Sequence, residues 1–247
     1  MRVDVLLGEA PVAPADVADR VVVVIDVLRA ATTAAWALAN GARMLIPFES
    51  VEEAAQRAKT MDQESVRLGG ERRMVRVDGF DFGNSPAEYT PAMVSGRTIV
   101  FTTSNGTTAL TATHGARACL FAAFVNAQAS IDAACKASDG VTDVVIVCAG
   151  TDRHLALEDA VCAGRLVRGV RAAFPDAECG DAARFVEMIE QTYHDDLTTL
   201  AADASHARAL SAAGFGADVN SCFAIDSIPL AVRYQDRQLL AISADGA

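Results

Sequence analysis

Long apolar runs are missing from this 247-residue chain. No stretch approaches the roughly 18 residues a membrane helix needs, and Val21–Ile25 is bounded by Arg20 and Asp26. No membrane partner is expected. Positive charge is also scarce: 21 Lys plus Arg stand against 32 Asp plus Glu, a net charge of −11. Such a surface repels polyanions, so nucleic acid is not expected as a partner. Aromatic residues are only 6% of the chain, so its positive mean hydropathy, +0.23, comes from small side chains, mainly alanine. The six cysteines contain no C-x-x-C pair and the four histidines no metal-ligand spacing, so neither a zinc site nor a disulfide framework is expected. The alternating segment Met1–Leu7 lacks a secretory apolar core and cleavage site, which implies a cytoplasmic location. There is no G-x-x-x-x-G-K-[ST] loop, no strand-linked G-x-G-x-x-G and no G-x-S-x-G. Kinase-like, dinucleotide-redox and hydrolase-elbow chemistries lose their main support.

What is present is an alternation of β-branched runs with alanine-rich helical stretches. It predicts an α/β fold, a mostly parallel sheet flanked by helices in three layers. Strands are predicted at 3–7, 21–26, 43–47, 98–102, 117–121 and 143–147. Helices are predicted at 29–39, 51–59, 105–112, 127–137 and 156–173. Ser50-Val51-Glu52-Glu53 reads as a capping box opening the second helix. Residues 181–213 predict a helical segment, and 228–234 with 238–242 a closing hairpin around Asp236. No linker divides the chain. One domain over 1–247 is expected, with two intimate lobes and a site between them as the variant of that expectation. Gly69-Gly70-Glu71-Arg72 and the block from Gly79 to Pro86 break the rhythm and read as one long loop.

Three predicted strands end in polar sequence. The first runs into Asp26 and Arg29, and the second into Thr102-Thr103-Ser104-Asn105-Gly106-Thr107. The third runs into Cys148-Ala149-Gly150-Thr151, with Glu158 and Asp159 in the following helix. Ligands of open α/β sheets bind beyond the carboxyl ends of strands, so three such ends on one edge would make a pocket. Hydroxyls, Gly106 and a helix start at Ser104–Thr107 suit an anion. A plain helix N-cap explains the same residues about as well on spacing alone. Asp26 closes an apolar strand, and a metal or Arg29 would compensate its charge; an internal salt bridge or a helix cap explains it about as well. Glu158 and Asp159 splay by about 100° on a helix, so only one can face a given point directly. Cys148 and Arg153 lack the glycine pattern of a cysteine-phosphatase loop, which leaves the thiol a packing role.

Taken together, six blocks resemble the 2-phosphosulfolactate phosphatase (ComB) family. They are Val-Ile-Asp-Val-Leu-Arg-Ala (24–30), Gly-Gly-Glu-Arg (69–72), Gly-Phe-Asp-Phe-Gly-Asn-Ser-Pro-Ala-Glu-Tyr (79–89), Thr-Thr-Ser-Asn-Gly-Thr (102–107), Cys-Ala-Gly-Thr (148–151) and Glu-Asp-Ala-Val-Cys-Ala-Gly (158–164). The resemblance implies an α/β enzyme that uses Mg²⁺ to hydrolyse 2-phospho-3-sulfolactate to sulfolactate and phosphate, a step of coenzyme M biosynthesis. On that basis Asp26, Arg29, Glu158 and Asp159 are the expected catalytic residues, with Asp26, Glu158 and Asp159 as candidate Mg²⁺ ligands. Glu71, Arg72, Asn84, Ser85, Ser104, Asn105, Gly106, Thr107 and Thr151 are expected to bind the small anionic phosphorylated substrate. Arg29 is assigned to the phosphate and Arg72 to the acid tail. Water is preferred to Asp26 as the attacking group, because residue 28 is Leu and no D-x-D pattern exists. A homodimer is left open. So are a different small phosphorylated carboxylic acid as substrate and a non-catalytic anion-binding role.

Overall fold

A computed structural model describes residues 1–194 and 196–242. In chain order the elements are β1 (Arg2–Leu6), α1 (Pro14–Val17), β2 (Val21–Ile25), α2 (Ala30–Ala39), β3 (Met44–Pro47), α3 (Val51–Lys59), β4 (Val66–Arg72) and β5 (Val75–Arg76). There follow α4 (Pro91–Val94), β6 (Thr98–Thr102), α5 (Gly106–Thr111), β7 (Ala118–Ala122), α6 (Ala127–Ser138), β8 (Val144–Cys148) and α7 (Leu157–Ala173). The chain continues through β9 (Glu178–Cys179), α8 (Asp181–Tyr193), α9 (Leu197–Asp203), α10 (Ser205–Leu210), α11 (Gly216–Cys222), β10 (Ala231–Gln235) and β11 (Gln238–Ile242).

The strands form one sheet in the order β5-β4-β6-β3-β11-β10-β7-β2-β8-β1-β9. Every residue of β2, β6 and β8 is buried, as parallel strands covered by helices on both faces should be. Helices α6 and α7 pack on β2, and α8 packs on α7 and β1. Helix α2 packs against β3, β11, β10 and β7, and its AATTAAWALA sequence is buried almost all round. Small side chains let such a helix sit close to the sheet.

The six strands read from the sequence are present within a residue at their ends, and the mostly parallel α/β fold is as expected. Two elements differ. Gly69–Arg72 is not loop but the end of β4, with Gly69 and Gly70 paired to β6 and Glu71 and Arg72 to β5. The glycines had hidden it. A Cβ at Gly70 would lie 2.1 Å from the carbonyl oxygen of Thr102, so only glycine lets these two backbones approach. The hairpin β10–β11 turns at Asp236-Arg237, both at positive φ (50° and 61°). It does not cap an edge. It sits in mid-sheet, antiparallel to β7 on one side and to β3 on the other.

That insertion decides the topology. The group β7-β2-β8-β1-β9 and the group β4-β6-β3 are each parallel, but the three antiparallel steps between them make the groups run in opposite directions. In a flat sheet their carboxyl ends would lie on opposite edges. Sheets twist by about 20–25° per step, so the five steps from β2 to β6 rotate one group by roughly 100–125° relative to the other. The strand ends of both groups are thereby swung toward one another.

Candidate active site

Those strand ends meet at a cleft of about 140 Å³. From one group come Asp26, Leu28 and Arg29 after β2, and Thr151 and Asp152 after β8; from the other come Thr103, Ser104 and Asn105 after β6. Glu71 with Arg73 and Met74 reaches in from the β4–β5 hairpin, Asn84 from the following loop, and His206 from α10.

Three carboxylates crowd together here, Asp26 in the wall and Glu158 and Asp159 just behind it. Asp26 is 5% exposed and accepts a hydrogen bond from Ala30 N at 3.0 Å through Oδ1; among the described residues none donates to Oδ2. Burial pushes its carboxyl up to about 6; His206 acts against that shift, and Glu71 and Glu158 add to it. Asp159 accepts from Val27 N at 2.9 Å and Gly150 N at 3.1 Å, so both oxygens tie strand-end backbone together. Burial first, then the charges of Glu158 and Asp26, push its carboxyl well above the ordinary value. Glu158 is 1% exposed; Oε1 lies 3.5 Å from His206 Nδ1, and Oε2 is buried without a hydrogen-bond partner. For His206, burial lowers the pKa, but the hydrogen bond and charge of Glu158 and the charge of Asp26 outweigh it, so the imidazole is raised. Its Nδ1 also lies 3.1 Å from Thr151 Oγ1.

Two further buried oxygens without a partner, Asn84 Oδ1 and Thr103 Oγ1, belong to cleft residues. Buried polar atoms are normally paired. A concentration of unpaired ones marks a place built for something else to bind.

Arg29 is the buried cation of the cleft, but its ion pair is with Asp218 and not, as expected, with Asp26. Its Nη1 donates to Asp218 Oδ2 at 2.6 Å and its guanidinium lies 4.3 Å over the Phe215 ring. Asp218 Oδ1 in turn accepts from Ser85 Oγ at 2.7 Å. The guanidinium is thus fixed from behind and above and keeps its remaining donors for the cleft.

The sequence reading placed Asp26, Arg29, Glu71, Asn84, Ser104, Asn105 and Thr151 in the site, and all line the cleft. Glu158 and Asp159 lie just behind. Ser85 is turned onto Asp218, and Thr107 donates to Thr103 O at 2.9 Å, so both brace the wall. Gly106 is there because a Cβ would lie 2.6 Å from Asp26 Oδ2. The Ser104 turn already has an anion: its N–H and Oγ both donate to Glu71 Oε1, at 2.9 and 3.0 Å. Arg72 is not in the cleft. Its guanidinium donates to Glu71 O, Glu49 O and Thr102 Oγ1, each at 2.7 Å, because strand alternation turns it away from its neighbours. Arg73 takes the place expected of it. Cys148 is buried and its thiol is pushed well above its usual value, chiefly by burial. All six cysteines are free. His206, Asp218 and Phe215 were not read from the sequence. They come from the helical segment 197–222, whose only local signals are isolated polar residues among alanines.

Among the described residues no three His, Cys, Asp or Glu side chains are arranged to enclose a metal ion. Mg²⁺ does not require it, since it keeps several waters and takes one or two carboxylates plus substrate oxygens. Asp26 Oδ2 and the unpartnered Glu158 Oε2 are a hard-oxygen pair of that kind, and the donor set fits the ion.

A family profile described as 2-phosphosulpholactate phosphatase matches residues 9–237. A protein of Clostridium botulinum (strain Eklund 17B / Type B), named probable 2-phosphosulfolactate phosphatase, is 35% identical over 233 residues, 93% of this chain and 96% of that one. One from Symbiobacterium thermophilum, with the same name, is 37% identical over 227 residues, 92% and 96% of the two chains. Another so named, from Clostridium acetobutylicum, is 32% identical over 240 residues, 97% and 100% of the two chains.

Proposed function

We propose that this chain, which belongs to the 2-phosphosulpholactate phosphatase family, hydrolyses 2-phospho-3-sulfolactate to 3-sulfolactate and phosphate with Mg²⁺, the coenzyme M type of reaction. The observation that carries this reading is the conjunction in one cleft of a braced arginine, the Asp26 carboxylate and two buried oxygens without partners, with the unpartnered Glu158 Oε2 just behind. Asp26 and Glu158 would hold Mg²⁺, which when bound supplies positive charge to the transferring phosphoryl group. Arg29, held by Asp218 and Phe215, orients the phosphoryl oxygens through its free N–H groups. Asp159 keeps the ends of β2 and β8 at fixed separation through Val27 N and Gly150 N. His206 faces Glu158 Oε1 with Nδ1, and the neighbouring carboxylates favour its charged form, which offsets the crowding of negative charge there. Arg73 receives the acid tail. Water attacks phosphorus in preference to Asp26, since Leu28 stands where a D-x-D pattern would put a second aspartate.

A second substrate reading has its own observation. A largely apolar pocket of about 330 Å³, lined by Leu6, Pro11, Val12, Ala109, Val147 and Arg153, shares Ser104 and Asn105 with the cleft. It would suit a phosphorylated carboxylic acid with a larger apolar part. Phosphate release from phosphosulfolactate, phospholactate and phosphoglycolate, each with and without Mg²⁺, tests the first reading, and release from the phosphate ester of a longer-chain 2-hydroxy acid tests the second. The expected result is Mg²⁺-dependent release, greatest for phosphosulfolactate and reduced at least about a hundredfold in Asp26→Asn. Full activity of Asp26→Asn, or no release from any of the three, would overturn the reading.

A further inference from the structure

The unpaired cations of this acidic chain are not scattered. Six arginines, Arg73, Arg117, Arg153, Arg184, Arg233 and Arg237, make no side-chain hydrogen bond or salt bridge among the described residues. Arg73 faces the catalytic cleft and Arg153 the apolar pocket beside it. Three of the other four line a single groove of about 750 Å³ between the turn of the β10–β11 hairpin and the loop that leads into β7. His114 joins Arg117, Arg233 and Arg237 in its wall, and Asp236 in the hairpin turn is the one carboxylate of that wall. The nearby Glu49 is occupied by the hydroxyl of Thr111. Glu52 and Glu53 approach Arg237 from its far side without closing an ion pair.

With 32 carboxylates in the chain, a surface arginine rarely lacks a potential partner. Three arginines line one concavity, two of them exposed and one half-buried, and like charges so placed repel each other. A bound anion would supply their counter-charge. We propose that this groove is a second anion site, for a small molecule carrying two or more phosphate groups. Guanidinium forks bind phosphate oxygens in pairs, and the volume is that of a nucleotide-sized ligand. The surrounding charge of −11 disfavours an extended polyanion.

The groove is separate from the catalytic cleft. Ala118, in its wall, pairs with Val21 at the start of β2, whereas Asp26 follows the last residue of that strand. At about 3.3 Å per residue, roughly 13 Å or more of strand lies between them. The inference therefore stands whether or not the chain is a phosphatase.

Methylenediphosphonate, which a phosphatase cannot hydrolyse, is the probe, titrated calorimetrically into the full chain. A binding component should be present that survives Arg29→Gln in the cleft and disappears in the triple variant Arg117→Gln/Arg233→Gln/Arg237→Gln. Arg233→Gln alone should weaken it about tenfold, the scale of one lost charge-assisted hydrogen bond. Arg117 and Arg237 are exposed, so unchanged urea midpoints should accompany the loss. The proposal is overturned if no such component exists, if it persists in the triple variant, or if Arg29→Gln removes it. It is also overturned if a single-stranded oligonucleotide or phosphatidylserine vesicles bind through the three arginines and the diphosphonate does not.

Discussion

Arg72 and Arg73 are chemically identical neighbours with opposite duties. Arg72 ties β4 to the Glu49 carbonyl and to β6, while Arg73, at φ 52° in the hairpin turn, looks into the cleft. Arg72→Gln should therefore cost stability, about 1–3 kcal/mol for bonds from a charged group, seen as a lower urea midpoint. Arg73→Gln should leave the midpoint alone and raise KM for an acid-tailed phosphate ester about tenfold, with kcat changed little. The opposite assignment of the two losses would return the tail to Arg72. Sequence could not separate the pair, because their difference is one step of strand alternation in a strand disguised by Gly-Gly. Asp26, Arg29 and Asn105 were legible, since each lies within a few residues of the end of a β-branched run. His206 and Asp218 were not: they meet Glu158 and Arg29 only through tertiary packing, at separations of 48 and 189 residues.

Among elements, β4 is one whose pairing depends on absent side chains, above all at Gly70. Gly70 has φ 154° and the Thr102 carbonyl where its Cβ would be. Gly70→Ala must push β4 off β6, which also displaces Glu71 from Ser104. The expected cost is about 1–3 kcal/mol, as for other overpacked interiors, measured by urea unfolding at constant m-value. A neutral outcome would mean that β4 is free to shift. Helix α3 shows the contrary case, an element readable from its ends: Ser50 Oγ accepts from Glu53 N at 3.0 Å, the Ser50 half of the capping box its signature implies. Hydrophobic period and capping residues are local information. Close backbone approach is not.

At the scale of the molecule, buried negative charge opposes folding. Asp26 is raised by burial to about 6 from 3.8, so the fold favours its neutral form. That contribution is complete below the unfolded value and is lost as pH rises through about 6. In chelator, Asp26→Asn, which keeps the acceptor for Ala30 N, should equal the wild type in stability near pH 4 and exceed it increasingly toward pH 7.5. Thermal unfolding across that range is the check; a variant that grows relatively weaker with pH would show that neighbouring cations hold the charged form. The overall class, a mostly parallel α/β sheet, followed from the alternation of patterns, but the opposed running of its two groups did not. Only pairing across the chain reveals that β10 and β11 part β7 from β3, with Leu239 and Leu45 the single registered pair at one seam. This has a consequence for biosynthesis. Residues 231–242 are made after every other strand, so during translation two finished parallel groups each present a naked edge, β3 and β7, with no partner yet synthesised. Nascent chains crowded on one message can satisfy those edges with each other, and the hairpin must arrive before they do.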